Sequence, residues 1–392
     1  MRLKTLLLGA LASGCLKQIP LNTDPTVPNA RVSRTAISEV IWRTPLVPLG
    51  LLEYLPQEPA SPAVDPDTER VFVTTRDGTL RCLNPDTGLV EWEFKAGNKS
   101  LSGPTVSRGV LYFASGDGHL YAFRALSGEK LWEFDAKEEL VTTPTVTATQ
   151  VFVASQSEAV FAVDKETGAW KWQYRRDPPS GFTVRGTSRP VVAEGHLYMG
   201  FADGYLAAID VETGVPTWEK RITVTGGTQF LDVDSTPVID HGKIYVASYK
   251  DGVTALDAKD GALVWSTPHA GINALMARGK VLFATGDGAL TAFEMDHGRE
   301  MWSLDLSDPT SKGKGQNAGR ALTWSRGFVV VPTSTALAFV NPITARVAAM
   351  WNPGRGVTGV PASFSSPRNG TRLYVLNNYG TVYGLQMTGG AR

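Results

Sequence analysis

The sequence predicts an all-β fold, an eight-bladed β-propeller of four-stranded antiparallel blades closed by pairing the N- and C-terminal strands. Three observations carry this. A turn glycine followed four residues later by tryptophan recurs six times, from Gly88…Trp92 to Gly298…Trp302. Successive tryptophans of this set are 40, 40, 46, 47 and 37 residues apart, a period that marks propeller blades. Within each unit, short apolar runs are separated by Asp-Gly and Thr-Gly pairs or their variants, the punctuation of strands and hairpins.

In chain order, the N-terminus comes first. Arg2 and Lys4 precede the apolar run Leu6–Leu11, which is too short to span a bilayer. The run ends in Leu11-Ala12-Ser13-Gly14-Cys15, which resembles a bacterial lipobox. Cleavage before Cys15 would leave its thiol for diacylglycerol attachment; an ordinary signal peptide with a chance cysteine is the alternative. Residues 1–14 are read as a lipoprotein signal peptide and 15–38 as a lipidated flexible tether. Residues 39–388 are read as the propeller and 389–392 as a C-terminal tail. Pro20, Pro25 and Pro28, with polar spacers, give the tether no periodicity, and it reaches at most about 75 Å when extended. Leucine rather than aspartate follows Cys15, which by analogy with enteric bacteria favours the outer membrane. The second cysteine, Cys82, lies in a strand pattern between Leu80 and Leu83 and reads as a buried structural thiol.

Each repeat unit then reads as four strands. In the second these are Pro104-Thr-Val, Val110–Ser115, His119–Phe123 and Lys130–Phe134, here lettered A to D. Asp117-Gly118 joins B to C, and Asp77-Gly78, Asp203-Gly204, Asp251-Gly252 and Asp287-Gly288 do so in their units. Such pairs supply the positive φ angles of a tight hairpin. A seventh unit ends at Met350-Trp351 and has lost its glycine; an eighth, from Ser363, stops before its tryptophan strand. Glu39-Val-Ile-Trp42-Arg-Thr-Pro supplies the missing strand, which removes the open seam. The blade tryptophans are therefore Trp42, Trp92, Trp132, Trp172, Trp218, Trp265, Trp302 and Trp351, with Trp170 and Trp324 off register. Their expected role is structural: a large ring on the outer strand fills the gap to the next blade, its N–H bonded to backbone there.

Catalytic chemistry is absent from the pattern. Lys and Arg total 38 against 38 Asp and Glu, so net charge is zero and nucleic acid is an unsuitable partner. His119, His196, His241, His269 and His297 are scattered, without metal-ligand spacing. Nucleophile-elbow and phosphate-loop motifs are missing. The Ala-x-Asp-x-x-Thr-Gly-x-x-x-Trp sentence resembles the blades of quinoprotein alcohol dehydrogenases, which bind pyrroloquinoline quinone with Ca²⁺. Those enzymes tend to carry adjacent cysteines, and this chain has none. No cofactor or metal is assigned, and the chain is not read as an enzyme; a quinone- or sugar-binding propeller is the alternative class.

Two interblade connections stand out, Arg175–Ser188 and Ile222–Ser235, both longer than the earlier ones. In an antiparallel blade the B–C turn and the loop from D to the next A share one face, so these consecutive loops should be neighbours. One carries Phe182-Thr-Val184-Arg185-Gly186, the other Phe230-Leu231-Asp232-Val233-Asp234. Phe182 and Val184 alternate, which puts both on one side of an extended segment, free to meet a partner strand. Asp232 and Asp234 could equally cap turns, with Arg185 bridging one of them.

Lipobox, tether, eight blades and these loops together resemble the BamB family of propeller lipoproteins, over essentially the whole mature chain. Members carry Leu-x-Leu-Arg-Gly in the first loop and Asp-x-Asp in the second. The resemblance implies that Phe182, Val184, Arg185, Asp232 and Asp234 hold the periplasmic domains of BamA, the barrel-inserting subunit. It also implies other subunits of that assembly complex and nascent outer-membrane proteins as partners, and a lipid-anchored place on the periplasmic face of the outer membrane. Phe182 and Val184 depart from the family's leucines but keep apolar character. A paralogous propeller lipoprotein serving another envelope complex is a further alternative.

Overall fold

The computed structural model describes residues 37–48, 57–177, 188–223, 233, 235–306, 322–354 and 356–391. Among them every regular element is a strand: 32 strands form eight four-stranded sheets. In the second blade they are Thr105–Ser107, Val110–Ala114, His119–Arg124 and Lys130–Asp135, with strand A innermost and D outermost. Inner strands of neighbouring blades touch one another around the axis. Strands B and C are buried along their length, as in Val71–Thr74 and Thr79–Leu83, because each sheet is covered on both faces. Outer strands alternate, as in Lys130–Asp135, where Trp132 is buried between exposed Leu131 and Glu133.

The core lies between blades rather than within them. Tyr112, Ala122 and Trp132 of the second blade share one cluster with Val151, Val153 and Phe161 of the third. Six outer-strand tryptophans cross these seams. Trp42, Trp92, Trp132, Trp172, Trp218 and Trp265 donate their indole N–H to Pro85, Ala125, Lys165, Val211, Ala258 and Met295 O of the next blade, at 2.7 to 3.1 Å. The turn glycine of that next blade lies under the ring. At Gly128, φ +71°, an added Cβ would sit 2.7 Å from Trp92 Cδ2. Gly88, Gly168, Gly214, Gly261 and Gly298 meet the preceding blade's tryptophan in the same way. The glycine and the tryptophan of the repeat are thus partners across a seam, not within a blade. Trp302 packs into the seam with Val329 and Val340 of the seventh blade, where Ala345, φ +52°, stands in the glycine's place.

The eighth blade closes the ring. Its outer strand is Ser38–Pro45, antiparallel to Thr381–Met387 from Ser38↔Met387 to Pro45↔Thr381. Two boundaries shift. Ser38 is already in the strand and Ile37 is buried in a core cluster, so the blade begins ahead of residue 39. Residues 389–391 are tied in, with Gly389 N–H bonded to Ile37 O and Ala391 N–H to Arg326 O. Cys15 lies outside the described residues.

Trp351 differs from the other blade tryptophans. In each tryptophan blade a bulge in the outer strand precedes the ring, as between the partners of Ala122 and Phe123 opposite Trp132. In the seventh blade that register position, opposite Phe339, is Ala349, and Trp351 lies two residues beyond it, opposite Leu337. Trp351 is fully buried against Tyr383, ring centroids 5.0 Å apart. Its Nε1 has no hydrogen-bond partner among the described residues. The eighth blade is built from two chain ends, so no continuous C–D turn is there to offer the carbonyl.

The B–C hairpins also differ from expectation. Only Asp287-Gly288 has both residues at positive φ, 42° and 86°. At Asp77-Gly78, Asp117-Gly118, Asp203-Gly204 and Asp251-Gly252 the glycine alone does. In the first three of these the aspartate instead accepts the N–H two residues on, as from His119 to Asp117 Oδ1 at 3.0 Å. Cys82 is a free, fully buried thiol, pushed up to about 12 by burial and by nearby Glu91.

Replacing Gly128 and Gly109 by alanine separates backbone from seam. Gly109 has φ +73° with nothing within 4 Å of an added Cβ, so Gly109→Ala should cost about 1 kcal/mol of unfolding free energy. Gly128→Ala must also displace Trp92 and should cost about 2–4 kcal/mol in urea denaturation. Equal costs would mean that the indole contact contributes nothing.

Candidate partner-binding face

B–C turns and D-to-A connections share one face, and hydrogen bonds fasten them together. In four blades the residue that follows the outer strand donates to the turn glycine of its own blade: Ala96 to Gly78 O, Ala136 to Gly118 O, Ile222 to Gly204 O and Leu306 to Gly288 O, at 2.7 to 2.9 Å. Phe182, Val184, Arg185, Asp232 and Asp234 fall outside the described residues, as do the loop centres 178–187 and 224–232. The residues that anchor both loops are described.

The first loop leaves from Arg176. Its guanidinium donates to Asp203 Oδ2 at 2.7 Å, to Glu219 Oε1 at 2.6 Å and to Tyr174 OH at 3.3 Å. It also lies over Tyr205, 4.4 Å from the ring centroid. The third blade is thereby fixed to both the B–C turn and the outer strand of the fourth. Burial works against the Arg176 charge, and Asp203, Tyr174 and Glu219 overcome it and hold its proton more tightly than usual. Burial likewise acts to raise the Glu219 carboxyl, but hydrogen bonds from Tyr174 and Arg176 bring it below its ordinary value. The Tyr174 hydroxyl is pushed up to about 12 by burial and by Glu219. Charges so paired and shielded act as a rigid clamp, since breaking one partner strands the other.

The second loop is anchored by Val233, the residue between the two carboxylates in sequence. Its side chain is fully buried among Tyr198, Leu206, Ile222 and Ile244, and its N–H reaches Phe201 O at 3.3 Å. Gly200 makes the space: a Cβ there would collide with Val233 O and Cγ1. Three other units carry Ala114, Ala154 and Ala247 at this strand-B position, and two carry Thr74 and Thr285. The two loops end side by side, for Ser188 Oγ donates to Ser235 O at 3.1 Å. Ser235 Oγ in turn bonds both Ala247 N and O, at 2.7 and 2.9 Å. Sequence reading missed Arg176, Gly200 and Val233. The signal for Gly200 was a glycine at a strand-B position where the other units carry a side chain; Arg176 gave none, since its partners are remote in sequence.

Among the described residues, no three His, Cys, Asp or Glu side chains are grouped as a metal site. What the face offers is adjacent loop ends on a rigid rim, a geometry for holding a partner. A family model described as outer membrane protein assembly factor BamB matches residues 29–139, 102–254 and 234–392. The chain belongs to the BamB family. BamB of Shewanella oneidensis is 28% identical over 239 residues, which are 60% of this chain and 50% of that one. The chain thus spans about half the length of curated relatives it matches. The crystal structure of BamB from Moraxella catarrhalis superposes with a TM-score of 0.73 at 20% identity, covering 89% of this chain and 100% of that one. A quinohemoprotein alcohol dehydrogenase from Comamonas testosteroni shares the fold, with a TM-score of 0.68 at 15% identity over 92% of this chain and 78% of that one.

Gly200→Ala tests the Val233 anchor. The collision involves backbone on both sides, so the substitution should destabilise by about 1–3 kcal/mol. Protease cleavage within 224–234 should accelerate at least fivefold relative to cleavage elsewhere. Unchanged cleavage there would mean that Val233 does not hold the loop.

Proposed function

We propose that this chain is a non-catalytic scaffold lipoprotein of the outer-membrane β-barrel assembly complex. Cys15 carries the lipid, residues 16–36 form the tether, and the propeller sits on the periplasmic face of the outer membrane. Phe182, Val184 and Arg185 of the first loop and Asp232 and Asp234 of the second together grip the periplasmic domains of BamA. The alternating apolar pair meets a partner strand, and the carboxylates and guanidinium fix its register.

The observation that carries this reading is the hydrogen bond from Ser188 to Ser235 O, 3.1 Å long. It brings the ends of the two motif-bearing loops together on one face of a BamB-family propeller. The name of the relatives, outer membrane protein assembly factor, supports the same role. The outer strand of the closing blade starts at Ser38, at the edge of the C–D turns. A tether entering there leaves the loop face clear.

Arg185→Ala and Asp232→Ala should leave thermal unfolding within about 2 °C of wild type, as surface loop changes do. Each should lower co-purification of BamA from solubilised membranes at least fivefold. Wild-type recovery of BamA with both variants would overturn the assignment of the site.

A further inference from the structure

One register position at the loop-face end of each inner strand, two residues ahead of the strand or its first residue, stands at the mouth of the central channel. Among the described residues these are Ser61, Gly103, Thr143, Arg189, Thr236, Ala274 and Val360, as the pairing of each inner strand with its strand B aligns them. Six are small or uncharged, and two seams are stitched through them: Gly103 N–H to Thr143 Oγ1 at 3.2 Å and Val360 N–H to Ser61 Oγ at 2.8 Å. Arg189 alone is charged, and its side chain has no acceptor with which to continue the stitching.

The Arg189 guanidinium lies against the inner strand of the third blade. Nε donates to Thr145 Oγ1 and Nη2 to Pro144 O, both at 3.3 Å. These are long, neutral contacts, and they leave Nη1 and the second Nη2 hydrogen without a partner among the described residues. The other mostly buried arginines described near this face are paired, Arg76 with Glu58, Arg81 with Asp77 and Glu93, and Arg176 with Asp203. Beside Arg189 no described carboxylate stands within ion-pair reach, and burial alone, uncompensated by any charge, weakens its hold on its proton. A shielded guanidinium with free, forked donors is a receptor for a planar anion.

We infer that Arg189 receives a carboxylate, an aspartate or glutamate side chain of a polypeptide docked on the loop face and reaching into the channel mouth. Arg189 directly follows the first loop in sequence, so a protein held by that loop passes over the mouth. Only this choice of source rests on the proposed function; the anion receptor itself rests on the channel wall.

The test uses the purified full-length chain and two peptides, hexaglutamate and hexaglutamine, followed by calorimetry. Hexaglutamate should bind, hexaglutamine should not, and Arg189→Thr, which restores the residue found at Thr143 and Thr236, should weaken hexaglutamate binding at least fivefold. Arg189→Lys should retain part of it. Because Arg189→Thr removes a shielded charge that has no described counter-charge, its melting temperature without peptide should equal or exceed that of wild type. Equal binding by wild type and Arg189→Thr, no binding by wild type, or a lower melting temperature for Arg189→Thr would each overturn the inference, the last by making Arg189 a structural pin. Acetate that binds where hexaglutamate does not would overturn the polypeptide source. Loss of BamA recovery in the loop variants bears on none of these readings, so the two proposals fail separately.

Discussion

The indole of one blade lying across a turn glycine of the next is the contact on which the ring depends. The ring excludes any Cβ beneath it, and the same turn needs a left-handed residue, so glycine satisfies two constraints at once. The indole N–H then finds a carbonyl of that turn, which turns an apolar contact into a directed one. Because the apolar clusters are shared by neighbouring blades, no blade buries its core alone. Stability is therefore a property of seams.

Where the repeat departs from this rule, the chain compensates. The seventh blade lacks both halves of the device, with Ala345 for the glycine and Ala349 at the tryptophan register. Its neighbour is the closing blade, whose C–D turn is replaced by two chain ends joined through Thr388 and Gly389 N–H to Ile37 O. Trp351 fills the gap from a position two residues further along, at the cost of an indole N–H with no acceptor among the described residues. Closure by Ser38–Pro45 thus removes an open sheet edge while giving up one hydrogen bond of the series.

Much of the fold was legible because each repeated signal reports a local cause. Thr-Gly and Asp-Gly mark turns, apolar runs mark strands covered on both faces, and the interval to tryptophan marks the outer strand. The missing tryptophan strand of the eighth unit, matched by Glu39–Pro45, made closure legible too. What escaped was non-local. The register of Ala349 depends on where a bulge falls, the hairpin geometry depends on whether the aspartate caps its own turn, and Arg176 gains meaning only beside Asp203 and Glu219. At the candidate site the sequence pointed to loop residues, whereas the described anchors are Arg176, Gly200, Val233, Ser188 and Ser235. Val233 was passed over because its burial is created by a glycine more than thirty positions away.

These anchors make one face of the propeller a fixed rim at which the ends of the two loops meet, and the account of function stands on that face being the one a partner occupies. Hydrogen–deuterium exchange of the full-length chain, with and without the soluble periplasmic region of BamA, tests this most directly. The account predicts slowed exchange in 178–187 and 224–234 and in the adjoining channel mouth around Arg189, with the outer strands unchanged. Unaltered exchange in both loops, with slowing on the outer strands or the C–D turns instead, would contradict it.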